Sequence, residues 1–298
     1  MDQWLEEIRA ALPELVVYQQ EPMKKHTTFR VGGPADLYVC PKKQELPVIL
    51  GLAKKKGLAV TVIGNGSNLL VGDKGYRGVI LQIFKKMNQI RVEENKIYAG
   101  AGALLSKIAA TALSESLTGF EFAAGIPGTL GGAVRMNAGA YGGEIKQVLK
   151  SVTVVECGRI AKKIVHAGDL GYRSSVYAFP NAVVAGAEFE LAVDADGEAR
   201  RRMEEFNMRR KEKQPLEYPS AGSTFKRPEG HFAGALIEQA GLKGTRIGGA
   251  EVSPKHAGFI VNYGGATCAD VLNLIDLVRE RVYKEFGVLL EPEIKIIK

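Results

Sequence analysis

The residues most suited to chemistry are clustered in glycine-rich loops. Gly64-Asn65-Gly66-Ser67-Asn68-Leu69 follows a short apolar run, and Gly100-Ala101-Gly102-Ala103-Leu104-Leu105 lies between a strand-like and a helix-like segment. Each has the first two glycines of a dinucleotide fingerprint but not the third. Neither is followed at the expected distance by an acid at a strand end, so a Rossmann reading fails for both. Alone, either loop reads as a turn. Together with the glycine-dense block 119–143 they say more. In Glu121-Phe122-Ala123-Ala124-Gly125-Ile126-Pro127-Gly128-Thr129-Leu130-Gly131-Gly132-Ala133, small residues leave the backbone bare. Bare N–H groups can approach a pyrophosphate closely. Thr129 stands where it can cap the short helix that follows, whose N-terminus favours an anion. Asn137-Ala138-Gly139-Ala140-Tyr141-Gly142-Gly143 extends the run. Glycine at this density costs chain entropy, which points to a phosphate-bearing ligand more than to loose linker.

These loops need a scaffold. Trp4, Leu5, Ile8 and Leu12 are spaced for a packing helix over 2–12. A polar stretch, 19–26, leads into Thr27-Thr28-Phe29-Arg30-Val31-Gly32-Gly33-Pro34-Ala35-Asp36. Strands are predicted at 37–40, 59–63, 79–83, 90–92, 96–99, 152–156 and 183–191, with helices at 44–56 and 104–114. A long charged helix, 199–213, marks a domain boundary. Beyond it come a helix (232–239), a strand (259–262), a helix (268–286) and a strand (289–297). This mixture is α+β, not a regular βαβ alternation. No fixed-period repeat or low-complexity tract is present.

A length of 298 residues suits two lobes, each able to bury a core. The net charge is +7, but the basic residues are scattered. Lys54-Lys55-Lys56 sits at a helix end, where cations favour the dipole, and the basic stretch 200–213 is interrupted by Glu204, Glu205 and Glu212. Solvated helix faces account for both. A phosphate-rich substrate fits the surplus without nucleic acid, and no aromatic ladder supports a nucleic-acid partner. Cys40, Cys157 and Cys268 are far apart and lack metal-ligand spacing, so no metal is expected. Unpaired thiols suit a reducing compartment. No secretion-signal pattern and no apolar run of membrane-spanning length are seen. A cytoplasmic protein without membrane insertion is the expectation.

Six segments, in order and over nearly the whole chain, resemble the UDP-N-acetylenolpyruvoylglucosamine reductase family. They are Thr27 to Ala35, Gly64-Asn65-Gly66-Ser67-Asn68-Leu69-Leu70, Ala124 to Gly132, Gly171-Tyr172-Arg173-Ser174-Ser175, Ala221-Gly222-Ser223-Thr224-Phe225-Lys226 and Leu290-Glu291-Pro292-Glu293-Ile294. The compact C-terminal part and the wording Ser223-Thr224-Phe225-Lys226-Arg227-Pro228 resemble the smaller subtype, which lacks a tyrosine-loop insertion. The resemblance implies a vanillyl-alcohol-oxidase-type FAD-binding lobe of two α+β subdomains and a C-terminal α+β lobe for the UDP-sugar. The lobes are expected at 1–195, with the subdomains split near 85–95, and at 196–298. The last strand, about 289–298, is a candidate to return to the FAD lobe.

The implied activity is reduction of UDP-N-acetylglucosamine enolpyruvate to UDP-N-acetylmuramate for the bacterial cell wall. It uses non-covalent FAD, with NADPH as co-substrate, in a monomer. Hydride goes to C3 of the enolpyruvyl group and a proton to C2. By its residues alone, Ser223 is a turn serine; the resemblance makes it the proton donor. It also puts Arg173 and Glu293 at the substrate carboxylate, where an enolate develops and a planar guanidinium is suited to stabilise it. The family pattern usually has Asp after this arginine, and Ser174 departs from it.

Ile63, Gly64, Asn65, Gly66, Ser67, Asn68, Gly125, Ile126, Gly128, Thr129, Gly132 and Ala133 are the expected FAD contacts. Tyr172, Lys213 and Lys226 are the expected substrate contacts. Arg209, Arg210 and Lys211 are alternatives to Lys213, and Glu291 is the neighbour of Glu293. His256 and Arg30 stand open between site and structural roles. A non-enzymatic basic nucleotide or RNA binder is one rival reading, and a sugar or lactone oxidase of the same fold is the other. The oxidase would share the glycine loops but has no reason to carry Gly222-Ser223 or Pro292-Glu293.

Overall fold

The computed structural model describes residues 1–156, 158–178 and 182–298. The expectation for Cys157 lies outside the described residues. In chain order the helices are α1 (Asp2–Ala11), α2 (Leu46–Lys55), α3 (Leu105–Ser114), α4 (Leu130–Met136), α5 (Ala199–Lys213), α6 (Ala233–Gln239) and α7 (Cys268–Phe286). The first strands are β1 (Val17–Pro22), β2 (Pro34–Val39), β3 (Val60–Ile63), β4 (Leu69–Val71), β5 (Tyr76–Gln82), β6 (Ile90–Glu93) and β7 (Lys96–Gly100). Next come β8 (Leu149–Glu156), β9 (Arg159–Ile164) and β10 (Ala182–Glu190). The last are β11 (Arg246–Ile247), β12 (Ala250–Val252), β13 (Ile260–Asn262) and β14 (Lys295–Ile297). The class is α+β, as expected.

One sheet has the order β1-β2-β5-β3 and a second the order β9-β8-β10-β7-β6. β3 and β5 pair in parallel, with Ile63 opposite Gln82. The pairs of the second sheet are antiparallel. A third sheet runs β11-β12-β13, and β14 pairs in parallel with β4.

Contacts divide the chain into two compact units. Unit 1 is Met1–Gln19, Leu37–Asn65 and Gly78–Arg209; unit 2 is Gln20–Asp36, Gly66–Arg77 and Arg210–Lys298. This differs from a single division at 195/196, for two reasons. Phe29, Val31 and Leu70 bury their side chains in one cluster with Phe225, Leu236 and Val271, so two N-terminal segments join unit 2. Arg202 of α5 bonds to Glu121 and Thr118 and pairs with Asp194, so most of α5 stays with unit 1.

Local signals account for the best-predicted elements. In α7, Val271, Leu274, Ile275, Val278 and Val282 form the buried stripe. Its start is a capping box of Thr267 and Asp270, and its end is Gly287 at φ +67°. α1 buries Trp4, Leu5 and Ile8. Full burial of an aliphatic side chain such as Leu5 or Ile8 contributes about 1.5–3 kcal/mol.

Three expectations are corrected. The strand predicted over 289–297 is β14 alone, preceded by an isolated bridge between Phe225 and Pro292. Pro292 has no N–H to give a ladder. The polar stretch from 19 overlaps β1, a mostly exposed strand at a sheet edge without an apolar alternation to announce it. Thr129 occupies the N-cap of α4 but makes no side-chain capping bond.

Candidate functional site

The glycine loops converge within unit 1. β3 ends at Ile63, whose carbonyl accepts from Ile83 N–H at 2.8 Å, and the chain turns at Gly64. A Cβ on Gly64 would lie 2.0 Å from Thr129 Oγ1, so the hydroxyl expected to cap α4 instead occupies the space a side chain would need. The Asn65 side chain donates to Pro127 O at 3.0 Å. Gly128 O accepts from Leu105 N–H, Leu130 N–H donates to Ala103 O, and Gly131 N–H donates to Ala101 O. The second glycine loop is thereby stitched to the 125–133 block. Gly125 and Ile126 are half-buried, while Gly132 is exposed with open space where a Cβ would stand. Ala133 is different: its methyl is buried and its N–H bonds to Thr129 O inside the helix.

Arg173 sits in a hairpin of unit 1 in which Leu170 pairs with Ser175 and Gly171 with Ser174. Its φ is +52°, the left-handed region that glycine or asparagine usually takes at such a turn position. Its Nη2 donates to Gly139 O at 3.4 Å, and the guanidinium lies 5.1 Å from the ring centre of exposed Tyr172.

Asn137 holds the hairpin from below. It is fully buried at φ +45° and donates to Gly171 O at 3.0 Å and to Glu144 Oε2 at 3.1 Å. Its own oxygen accepts from Lys146 N–H. The Glu144 carboxyl is held below its ordinary range by its bond with Lys146, then by Asn137 and by the charges of Lys146 and Arg173, against a smaller effect of burial than the Lys146 bond. Sequence reading did not single out Asn137 or Glu144 as site residues. The available signal was an asparagine ending a helix before a glycine-rich turn.

Ser223, Glu293, Lys226 and Asn68 come together in unit 2. Residues 224–226 run beside 291–293: Glu293 N–H donates to Thr224 O, and Lys226 N–H donates to Glu291 O, both at 2.8 Å. Thr224 is buried, and its Oγ1 accepts from Ile260 N–H at 3.0 Å. Ser223, one residue earlier, is exposed and follows Gly222 at φ +77°. Asn68 Nδ2 donates to Glu293 O at 3.3 Å, and Asn68 O accepts from Lys295 N–H.

Gly66 is buried at φ +68°, where a Cβ would meet His26 O at 2.0 Å; Ser67 is half-buried beside it. Lys226 is ion-paired with Glu291, whose carboxyl that pairing lowers. Lys213 ends α5 near enough to His256 for its charge to help depress the imidazole, although burial is the main cause. His256 Nδ1 accepts from Gly258 N–H at 3.1 Å, which leaves Nε2 to carry the proton of the neutral ring. Arg30 is exposed at φ +56° in the segment that Thr28 ties to Ser220 O at 2.6 Å.

Unit 1 therefore holds Ile63, Gly64, Asn65, Gly125, Ile126, Gly128, Thr129, Gly132, Ala133, Tyr172 and Arg173, and unit 2 holds the other expected site residues. The fit to FAD is favourable on one point of geometry. Bare glycine backbone, closed on one side at Gly64 and open at Gly132, is what close approach of a diphosphate requires. Among the described residues, no group of three or more His, Cys, Asp or Glu is placed to hold a metal ion. Among them also, no helix is long and apolar enough to cross a membrane.

Residues 214–297 match the family described as UDP-N-acetylenolpyruvoylglucosamine reductase, C-terminal domain, and residues 35–159 match an FAD binding domain. The UDP-N-acetylenolpyruvoylglucosamine reductase of Agathobacter rectalis is 52% identical, over 99% of this chain and 98% of its own. That of Caldanaerobacter subterraneus subsp. tengcongensis is 50% identical, over 98% and 97%. The crystal structure of UDP-N-acetylenolpyruvylglucosamine reductase from Thermus caldophilus superposes with a TM-score of 0.81 at 35% identity, over 96% of this chain and 99% of that one. Alkyldihydroxyacetonephosphate synthase, 16% identical with a TM-score of 0.50 over 65% of this chain, shares the fold alone.

Proposed function

The chain belongs to the UDP-N-acetylenolpyruvoylglucosamine reductase family, and from that premise we propose which of its residues do the family's work. It is an FAD-dependent oxidoreductase that reduces UDP-N-acetylglucosamine enolpyruvate to UDP-N-acetylmuramate with NADPH, in peptidoglycan precursor synthesis. FAD, when bound, would supply the two-electron hydride chemistry between NADPH and C3 of the enolpyruvyl group.

Ser223 gives the proton to C2. The observation that carries this assignment is the pairing of 224–226 with 291–293, which fixes the exposed Ser223 and the half-buried Glu293 on adjoining chain segments. A neutral hydroxyl is a weak acid, so position matters as much as acidity. Glu293 meets the carboxylate end of the substrate. Arg173 offers a planar, permanently charged guanidinium to that carboxylate as enolate character develops. Lys226 enters the site already paired with Glu291, so its charge is partly neutralised until an anion competes for it. Lys213 serves the phosphates, and Tyr172 contacts the substrate.

Residues 63–68, with 125, 126, 128, 129, 132 and 133, hold the FAD. The fragment 35–159 lies largely in unit 1, and the fragment 214–297 lies wholly in unit 2. This supports unit 1 as the principal flavin lobe and unit 2 as the principal UDP-sugar lobe. We take the protein to work as a cytoplasmic monomer without nucleic acid, with NADPH and the UDP-sugar using one pocket in turn. Parallel initial-rate lines support that order, and a stable ternary complex refutes it.

The deciding experiment is an anaerobic visible spectrum of the flavin-loaded protein. NADPH should bleach it, and the enolpyruvyl UDP-sugar should restore it. Bleaching without recovery would favour the oxidase reading.

A further inference from the structure

Gln82 ends β5 directly opposite Ile63, and its side chain reaches one residue further, to the start of the glycine loop. Its Nε2 donates to Gly64 O at 3.3 Å. Its Oε1 accepts from the hydroxyl of buried Tyr38. The Cys40 thiol lies 3.7 Å from both the Tyr38 hydroxyl and Gln82 Oε1. The thiol is placed to donate to either oxygen, and Tyr38 donates to the Gln82 amide oxygen. The amide oxygen is then committed to Tyr38 and only Nε2 is left for Gly64. Tyr38, Gln82 and the Gly64 carbonyl form a chain of one polarity, with Cys40 beside its first link.

A trans peptide is planar, so its C=O and N–H point to opposite sides. Holding the Gly64 carbonyl towards Gln82 therefore turns the Asn65 N–H away from it. The neighbouring contacts reinforce this orientation. Thr129 Oγ1 closes the Cα side of Gly64, and the Asn65 side chain is tied to Pro127 O. Without the amide clamp, a glycine peptide at a strand end has conformational freedom to rotate. The loop also stands at the carboxyl end of a parallel strand pair, where open α/β sheets place their ligands.

We propose that Gln82 is a positioning residue for the flavin: by clamping the Gly64 carbonyl, it aims the Asn65 N–H at the FAD diphosphate, with Tyr38 setting the orientation of its amide. This rests on the assignment of the Gly64 loop to FAD. The recorded partners of the Gln82 side chain are Tyr38, Cys40 and the Gly64 carbonyl, so its effect is read on cofactor retention.

The test measures FAD release from the holoenzyme on dilution, read by flavin fluorescence. Gln82→Leu should raise the apparent Kd about tenfold, the upper range for one hydrogen bond. Tyr38→Phe should act in the same direction but less, and the double variant should be no worse than Gln82→Leu, because Tyr38 acts through Gln82. Additive losses would mean two independent packing defects and would overturn the proposal.

Gln82→Glu adds a pH signature. The acid form can donate to the Gly64 carbonyl and the anion repels it. Its FAD affinity relative to the parent should therefore fall from about pH 5 to about pH 8. Tyr38 and Cys40 are the titratable groups recorded in contact with this side chain. A ratio that does not change with pH counts against the clamp. Gly64→Ala separates the two readings. If it retains FAD normally, the loop assignment itself fails; if it loses FAD while Gln82→Leu does not, only the role of Gln82 fails.

Discussion

Glu293 and Thr224 are joined by a backbone hydrogen bond of 2.8 Å, Glu293 N–H to Thr224 O. Thr224 is itself fixed, since its N–H donates to Gly258 O and its hydroxyl accepts from Ile260 N–H. In an extended segment a slip of one residue turns every side chain to the other face. The buried Thr224 thus sets the register that leaves Ser223 outward beside the Glu293 segment.

Ser223→Ala should keep flavin reduction by NADPH and lose turnover of the enolpyruvyl sugar by about 10²–10⁴, the usual contribution of a general acid. Stopped-flow absorbance separates the half-reactions. Because Ser223 is exposed, the melting temperature should hardly move. An intact oxidative half-reaction would remove Ser223 from its role.

Arg173 carries backbone strain for its position, since a left-handed non-glycine residue costs about 1–2 kcal/mol. Arg173→Asn removes the guanidinium but accepts that conformation more readily. Sugar turnover should collapse while stability by urea unfolding stays within about 1 kcal/mol of the parent. A large loss of stability would show that the arginine serves the hairpin and not the chemistry.

Gly64→Ala places a methyl against Thr129 Oγ1. Overpacking of this kind costs about 1–3 kcal/mol. Adding Thr129→Ala removes the opposing hydroxyl, and the double variant should regain most of the lost stability in a thermal melt. No recovery would locate the clash elsewhere.

Acid should loosen the Arg173 support. The folded-state pKa of Glu144 lies below its ordinary 4.5, chiefly through Lys146. Stability from such a depressed carboxyl is present above the ordinary value and is lost as pH falls through the folded one. Glu121, Asp169 and Asp270 are lowered too and add to the same window. Urea midpoints should therefore decline below about pH 4.5, less steeply in Glu144→Gln. An identical slope in that variant would show that Glu144 contributes nothing there.

Elements with strong local signals were legible from sequence. α7 has its apolar stripe, its Thr267–Asp270 box and its Gly287 stop. The glycine loops announced a bare-backbone site by composition alone. What escaped had no local signature. β9 is an exposed basic edge strand whose pairing comes from β8. The transfer of residues 20–36 and 66–77 to unit 2 depends on side chains such as Phe29 and Leu70 meeting partners far along the chain. Gln82 and Asn137 bond to carbonyls far along the chain, Gly64 and Gly171, and a partner of that kind cannot be read from neighbouring residues.

The parallel pairing of β14 with β4 joins Lys295 to Leu69, more than two hundred residues apart. During synthesis, the segments 20–36 and 66–77 emerge early and must wait for residues 295–297 before this ladder can close. At about 5–20 residues per second, the wait is on the order of 10–45 s. Leu70, buried in the finished protein, has to be kept from other partners meanwhile. Nascent chains halted just short of residue 295 should therefore expose an adhesive, half-built unit 2 to chaperones, and the arrival of residues 295–297 completes its β4 ladder.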